Sequence, residues 1–223
     1  MTASTPREQL AAQLSEAVAS ALAVDLENHE RALLVVSGGS TPVPFFKRLA
    51  SIELPWSRID VTLADERWVA EDAEDSNARL VREHLLQGPA AAARFCPLTS
   101  DDSTPELGVE AVTKRVTELP WPASVVVLGM GGDGHTASLF PDSGELGLAL
   151  TTDDPLVATR SPSVVQPRIT LSAGRLHQAR RHVLHVVGDD KRSVLAHAMA
   201  GDDVRELPIR AFLACPLAVY WAP

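Results

Sequence analysis

Behind the apolar stretch SVVVL, residues 129–134 read GMGGDG and run straight into His135, which sets a carboxylate, Asp133, and an imidazole at the mouth of a glycine-rich turn. An imidazole titrates near neutrality and can carry protons, and a carboxylate two residues away can orient it or position water. The same hexapeptide satisfies GxGxxG, with Asp153 or Asp154 near the distance at which a ribose-binding acid is sought. The helix that a dinucleotide fingerprint requires is interrupted at Pro141, however, and the would-be ribose acid sits in a Thr-Asp-Asp-Pro loop. The glycines are better read as a tight turn that brings Asp133 and His135 to the carboxyl end of a strand, where open α/β sheets hold their ligands.

Other chemistries find less support. No GxSxG elbow occurs, and Ser138 follows His135 without the strained turn of a nucleophilic serine. His29, His84, His177, His182, His185 and His197 form no short metal-ligand motif with carboxylates, so no metal position is assigned. Cys96 and Cys215 lack CxxC spacing, which argues against a disulfide scaffold or a cysteine-rich zinc site and fits a reducing compartment.

Elements must carry these residues. Leu10, Leu14, Ala17, Val18, Ala21 and Leu22 recur at helical spacing over 7–24. ALLVVSGG reads as a buried strand ending in a glycine turn, and VPFFKRLAS as the helix that follows. The alternation returns in IDVTLADER, a strand entering a polar segment, and in SNARLVREHLL, a helix capped by Ser76. A helix over 105–119 precedes the strand SVVVLGM; HVLHVVG, DKRSVLAHAMA and PLAVYW then read strand, helix, strand. Such alternation predicts an α/β fold with a mostly parallel sheet covered on both faces. AEDAEDS, LTSDDSTPE and PDSGELGLALTTDDP read as solvated loops, and residues 1–223 as one domain with elaborated loops.

The chain of 223 residues is 45% hydrophobic and 22% charged, enough for a sizeable core without metal or disulfide support. MTASTPREQL lacks a secretory leader's pattern, and the apolar runs fall short of the roughly 20 residues that span a bilayer, so a soluble cytoplasmic protein is expected. A net charge of -9 argues against a nucleic-acid partner, and the short apolar runs against a membrane one. Residues 1–110 carry 9 basic and 18 acidic side chains, whereas 111–223 carry 11 of each, so the acidic excess belongs to the first half.

SGGSTP (37–42), ADERWV (64–69), DSNARLVREHLL (75–86), LGMGGDGHTASLFP (128–141), PRITLS (167–172) and GDDKR (188–192), in this order over almost the full chain, resemble the 6-phosphogluconolactonase family. The resemblance implies a three-layer α/β/α sandwich with a modified Rossmann-like sheet, similar to glucosamine-6-phosphate deaminase and ribose-5-phosphate isomerase. It implies hydrolysis of 6-phospho-D-glucono-1,5-lactone to 6-phosphogluconate, in the oxidative pentose phosphate pathway, without organic cofactor or catalytic metal. Carried over by motif, Asp133 and His135 stand at the catalytic centre, and Gly38, Gly39, Ser40 and Thr41 join the sugar-phosphate pocket. Arg168 and Lys191 become phosphate ligands, and Asp65, Glu66, Arg67 and Asn77 pocket-wall or supporting residues. Arg67 could bind substrate or pair with an acidic neighbour.

The chain departs from the family pattern at Trp68-Val69-Ala70, where Cys-Val-Pro often follows DER, and at Gly132, where an acid commonly precedes DGH. Trp68 could cover a sugar face or pack internally. Two alternatives are a sugar-phosphate deaminase or isomerase, against which HTASLFP lacks the acid of the deaminase segment, and a non-catalytic sugar-phosphate-binding protein. Monomer and homodimer both stay open.

Overall fold

The computed structural model describes residues 5–223; residues 1–4, the start of the segment read above as lacking a leader, lie outside the described residues. Helix α1 (Pro6–Asn28) starts where local chemistry dictates: the Thr5 side chain accepts from the Glu8 N–H, the Glu8 carboxylate accepts from the Thr5 N–H at 2.8 Å, and Pro6 follows the cap. Leu10, Leu14, Val18 and Leu22 form its buried stripe. There follow β1 (Ala32–Val36), α2 (Val43–Ala50), β2 (Ile59–Leu63), β3 (Asp65–Arg67), α3 (Asn77–His84), β4 (Arg94–Cys96), α4 (Pro105–Thr117) and β5 (Val125–Leu128). The second half contains α5 (Leu146–Thr151), β6 (Leu156–Thr159), β7 (Arg168–Leu171), α6 (Ala173–His177), β8 (His182–Val187), α7 (Asp189–Met199), α8 (Arg210–Leu213) and β9 (Leu217–Ala222).

Six strands form an all-parallel sheet in the order β4-β2-β1-β5-β8-β9. Every residue of β1, β2 and β5 is buried, as both-face coverage requires. On one face α1 packs on α2 and against β1, β5 and β9; α7 packs on β8 and α8. The mostly parallel α/β sandwich expected from strand–helix alternation is therefore present.

Two features differ from the sequence reading. The polar DER segment after β2 is itself a strand, and with β7 and β6 it makes a separate antiparallel sheet in the order β3-β7-β6. Strands of three or four residues are too short to reveal a period of two. The segment PDSGELGLALTTDDP is not all loop, because α5 forms within it and buries Leu146 and Ala149. No helix among the described residues is long and apolar enough to cross a membrane.

At the amino ends of the strands, fully buried Asp60 accepts from Arg31 Nε at 2.7 Å and Nη2 at 2.9 Å, and from Arg94 Nε at 2.5 Å. This carboxylate fastens the approach to β1 to strands β2 and β4. Asp60→Asn should lower unfolding free energy by about 1–3 kcal/mol, toward the low end of buried pairs because both arginines keep solvent contact. Urea denaturation reads the loss, and ligand affinity at the far end of the strands should not change.

Candidate active site

Counting only the parallel sheet, its order is 3-2-1-4-5-6, so the chain reverses direction between β1 and β5. At such a switch point the loops leaving neighbouring strands diverge and open a crevice at the carboxyl ends. SGGS leaves β1 and GMGGDGH leaves β5. The Ser37 N–H donates to the Val127 carbonyl at 3.1 Å and the Gly129 N–H to Ser37 Oγ at 3.3 Å, which ties the loops together at their roots. Between and above them lies a cleft of about 300 Å³.

Asp133 and His135, expected as a pair, are in contact, with His135 on the cleft wall. Asp133 Oδ1 lies 2.6 Å from His135 Nδ1 and accepts the His135 N–H at 3.2 Å. Burial works to raise the Asp133 pKa, but the hydrogen bond and charge of His135 outweigh it and hold the carboxyl below its ordinary range. The turn is closed by the Gly131 N–H on the His135 carbonyl at 2.8 Å. Gly131 must be glycine, since a Cβ there would fall 2.2 Å from His135 Nδ1 and 2.5 Å from Asp133 Oδ1. Gly134, at φ 74°, has the left-handed backbone that favours glycine and lies against Leu207, while the Ile209 N–H secures its carbonyl at 2.9 Å. The imidazole ring packs on Phe140 with centroids 4.4 Å apart, and its edge enters the cleft.

The opposite wall comes from the small sheet. Arg67 and Arg168 face each other in the β3–β7 register, so two cations occupy directly opposed cross-strand positions, an arrangement unfavourable in isolation. Arg67 donates to the Asp75 carbonyl oxygen and joins no ion pair among the described residues. Arg168 is 7% exposed, its Nε has no hydrogen-bond partner, and it joins no ion pair among the described residues. Burial pushes its pKa down, Asp65 opposes this, and Arg67 adds to it. A guanidinium remains charged in a protein, so the chain bears the desolvation cost of a cation aimed into an open cleft.

Asp65 lines the cleft and is held by Ser138 Oγ at 2.5 Å. Ala137, between Thr136 and Ser138, takes φ 48°, a strained value for a residue with a Cβ. Thr136 Oγ1, which donates to the Gly129 carbonyl at 2.8 Å, pins it from one side, and the Ser138–Asp65 bond from the other. Asn77 lines the cleft, donates to the Asp65 carbonyl at 3.0 Å and packs on Gly38 so closely that a Cβ there would overlap its amide. Glu66 is turned away from the cleft and accepts the N–H groups of Arg67, Asn77 and Ala78 at 2.7–2.8 Å, together with Ser76 Oγ. It caps α3 and thereby fixes Asn77; burial raises its pKa against these bonds.

Of the remaining residues expected here, Gly38, Gly39, Thr41 and Lys191 line the cleft, whereas Ser40 and Asp133 do not. Ser40 is exposed on the loop, and Asp133 stands behind His135. Lys191, in the first turn of α7, brings its ammonium to 3.5 Å from where a Gly132 side chain would begin, and it joins no ion pair among the described residues. Trp68 donates to the Asp102 carbonyl at 2.9 Å and packs on Gly108 of α4; it does not line the cleft. Ser37, Phe46, Phe140 and His185 also line the cleft. Phe140 was legible within the glycine-turn motif, but nothing in one dimension singles out Phe46 or His185. Among the described residues no group of three or more His, Cys, Asp or Glu is placed to hold a metal ion.

Residues 5–221 match the family model described as glucosamine-6-phosphate isomerases/6-phosphogluconolactonase. The chain is 47% identical over 219 residues to 6-phosphogluconolactonase of Pseudomonas aeruginosa, covering 96% of this chain and 89% of that protein. It is 44% identical over 219 residues to 6-phosphogluconolactonase of Rhizobium meliloti, with 96% and 94% covered. The crystal structure of a 6-phosphogluconolactonase from Shewanella baltica OS155 superimposes with a TM-score of 0.97 at 46% identity, over 99% of this chain and 96% of that one.

The unpaired guanidinium yields a two-sided expectation. Arg168→Met removes a buried charge without a partner, so it should stabilise the free protein by about 1–2 kcal/mol. Inorganic phosphate should raise the melting temperature of the unsubstituted chain and should raise that of the variant much less. Differential scanning calorimetry with and without phosphate reads both effects.

Proposed function

The chain belongs to the glucosamine-6-phosphate isomerase/6-phosphogluconolactonase family, and from that membership we propose that it hydrolyses 6-phospho-D-glucono-1,5-lactone to 6-phospho-D-gluconate in the oxidative pentose phosphate pathway. The observation that carries the reading is the juxtaposition, in one cleft, of a carboxylate-oriented imidazole and a buried guanidinium without a protein counter-ion. A phosphorylated ester that reacts with water needs both.

In this reading Arg168 and Lys191 hold the phosphate, with Arg67, opposite Arg168, adding a third cation. Gly38, Gly39 and Thr41 line the sugar-phosphate end, where backbone N–H groups and the Thr41 hydroxyl can meet the ligand. Fixing the remote phosphate converts binding into orientation of the lactone carbonyl against His135. With Asp133 accepting from Nδ1–H, the neutral imidazole presents Nε2 as a proton acceptor. Water attacks C1 as Nε2 takes its proton, and the carbonyl π electrons move onto the oxygen. When the tetrahedral intermediate collapses, the C1–O5 bond breaks and O5 takes the proton back from the imidazolium, leaving the open-chain acid. Asp133 stabilises the imidazolium between these steps and is itself kept ionised by the same contact. Asp65, Asn77 and Glu66 support the walls rather than move protons.

Turnover of the lactone, corrected for its spontaneous hydrolysis, tests the reading directly. His135→Ala should lower kcat by roughly 10²–10⁴-fold while 6-phosphogluconate still binds. Arg168→Met and Lys191→Met should each raise KM by about 10- to 100-fold and narrow the preference over unphosphorylated gluconolactone. Release of ammonia from glucosamine 6-phosphate without accelerated lactone hydrolysis, or full lactonase activity after loss of His135, would overturn it.

A further inference from the structure

His185 is the buried polar residue of the cleft that the mechanism above leaves unused. It is 6% exposed, lines the cleft and makes no hydrogen bond among the described residues; its one ring contact is an edge-on approach to Phe45 at 6.1 Å. Residues alternate across β8: His182 meets Phe212 of α8 on one face, and His185 meets Phe45 of α2 on the other. Lys191 follows from α7, packed on β8, so the two polar groups at this end of the sheet come from different elements. In strand order β8 stands beyond β5, whereas Asp65 and Arg67 follow β2 on the far side of β1. His185 therefore enters from the wall across from the arginine pair.

The fully buried side-chain nitrogens without a partner among the described residues belong to Arg115 and Arg168, so the unpaired nitrogens of His185 keep access to the cleft, where water or a ligand can meet them. Burial pushes its pKa down to about 4, so at neutral pH it has one N–H donor, one acceptor and no charge. That valence matches an alcohol on both counts, since a hydroxyl can accept from the N–H or donate to the bare nitrogen, whereas an ionised phosphate or carboxylate only accepts. We propose that His185 is a specificity-determining residue that hydrogen-bonds a ring hydroxyl of the bound sugar lactone, and this rests on the lactonase reading above.

The test compares the unsubstituted enzyme, His185→Leu and His185→Gln on 6-phosphogluconolactone and on its 2-, 3- and 4-deoxy analogues. His185→Leu should lower kcat/KM on the full substrate by about 10- to 100-fold, and His185→Gln should recover part of the loss. One deoxy analogue, poor with the unsubstituted enzyme, should be turned over equally by the enzyme and His185→Leu, which a packing defect would not produce. The pH dependence of kcat between 6 and 9 should stay unshifted, because His185 is neutral throughout. The same fold-loss by His185→Leu on all four lactones, or no loss on any, overturns the assignment while leaving the lactonase reading intact. No lactone turnover by the unsubstituted enzyme overturns the parent reading instead. Melting temperatures show whether the variants fold; should His185→Leu fail to, His185→Gln carries the same comparison.

Discussion

The parallel ladder between β1 and β5 is the contact on which the rest of the site depends. Leu34, Val35 and Val36 stand opposite Val125, Val126 and Val127, and these residues are almost wholly shielded from water. Their pairing holds the ends of two strands about 4.8 Å apart at the point where the sheet's connections turn to opposite sides. Two glycine-rich loops must then leave side by side, and neither can fold back over the other. The cleft is thus a consequence of strand order, and its chemistry a consequence of which residues lie just past the two strand ends.

What fills that opening is arranged against local stability. Two arginines oppose each other across a strand pair, one of them buried without a counter-ion among the described residues, and Ala137 holds a left-handed backbone. Each costs free energy that the surrounding apolar core offsets. A dianionic ligand would neutralise the arginines at once, so the same residues that weaken the empty fold favour the loaded one. This also resolves the apparent conflict between a net charge of -9 and an anionic substrate. Long-range charge is screened within about 10 Å, and the cations of the cleft act at contact distance.

The small antiparallel sheet is what makes that concentration of charge possible. It places Arg67 from the acidic first half of the chain beside Arg168 from the balanced second half, and it lets Asp65 reach Ser138 across 73 residues. Glu66, adjacent to both Asp65 and Arg67 in sequence, serves another purpose: its carboxylate is consumed by the amino end of α3. Neighbouring residues in a strand point to opposite faces, so three consecutive charged residues divide between cleft and scaffold.

The sequence by itself determined the alternation of strands and helices, the glycine turn and the Asp133–His135 pair, because each is a local matter of periodicity, backbone freedom or spacing of two. The ordered motifs also named Arg168, Lys191 and Asn77, which do line the cleft. Tertiary structure alone decided that Ser40 stays outside and that Trp68 packs on α4 instead of covering a sugar. It also decided that Arg67 joins no ion pair among the described residues and that His185, one of the histidines with no motif around it, reaches the site. These outcomes depend on which strand lies beside which and on the face to which a side chain points. Such contacts join residues tens of positions apart, and no window along the chain contains both partners.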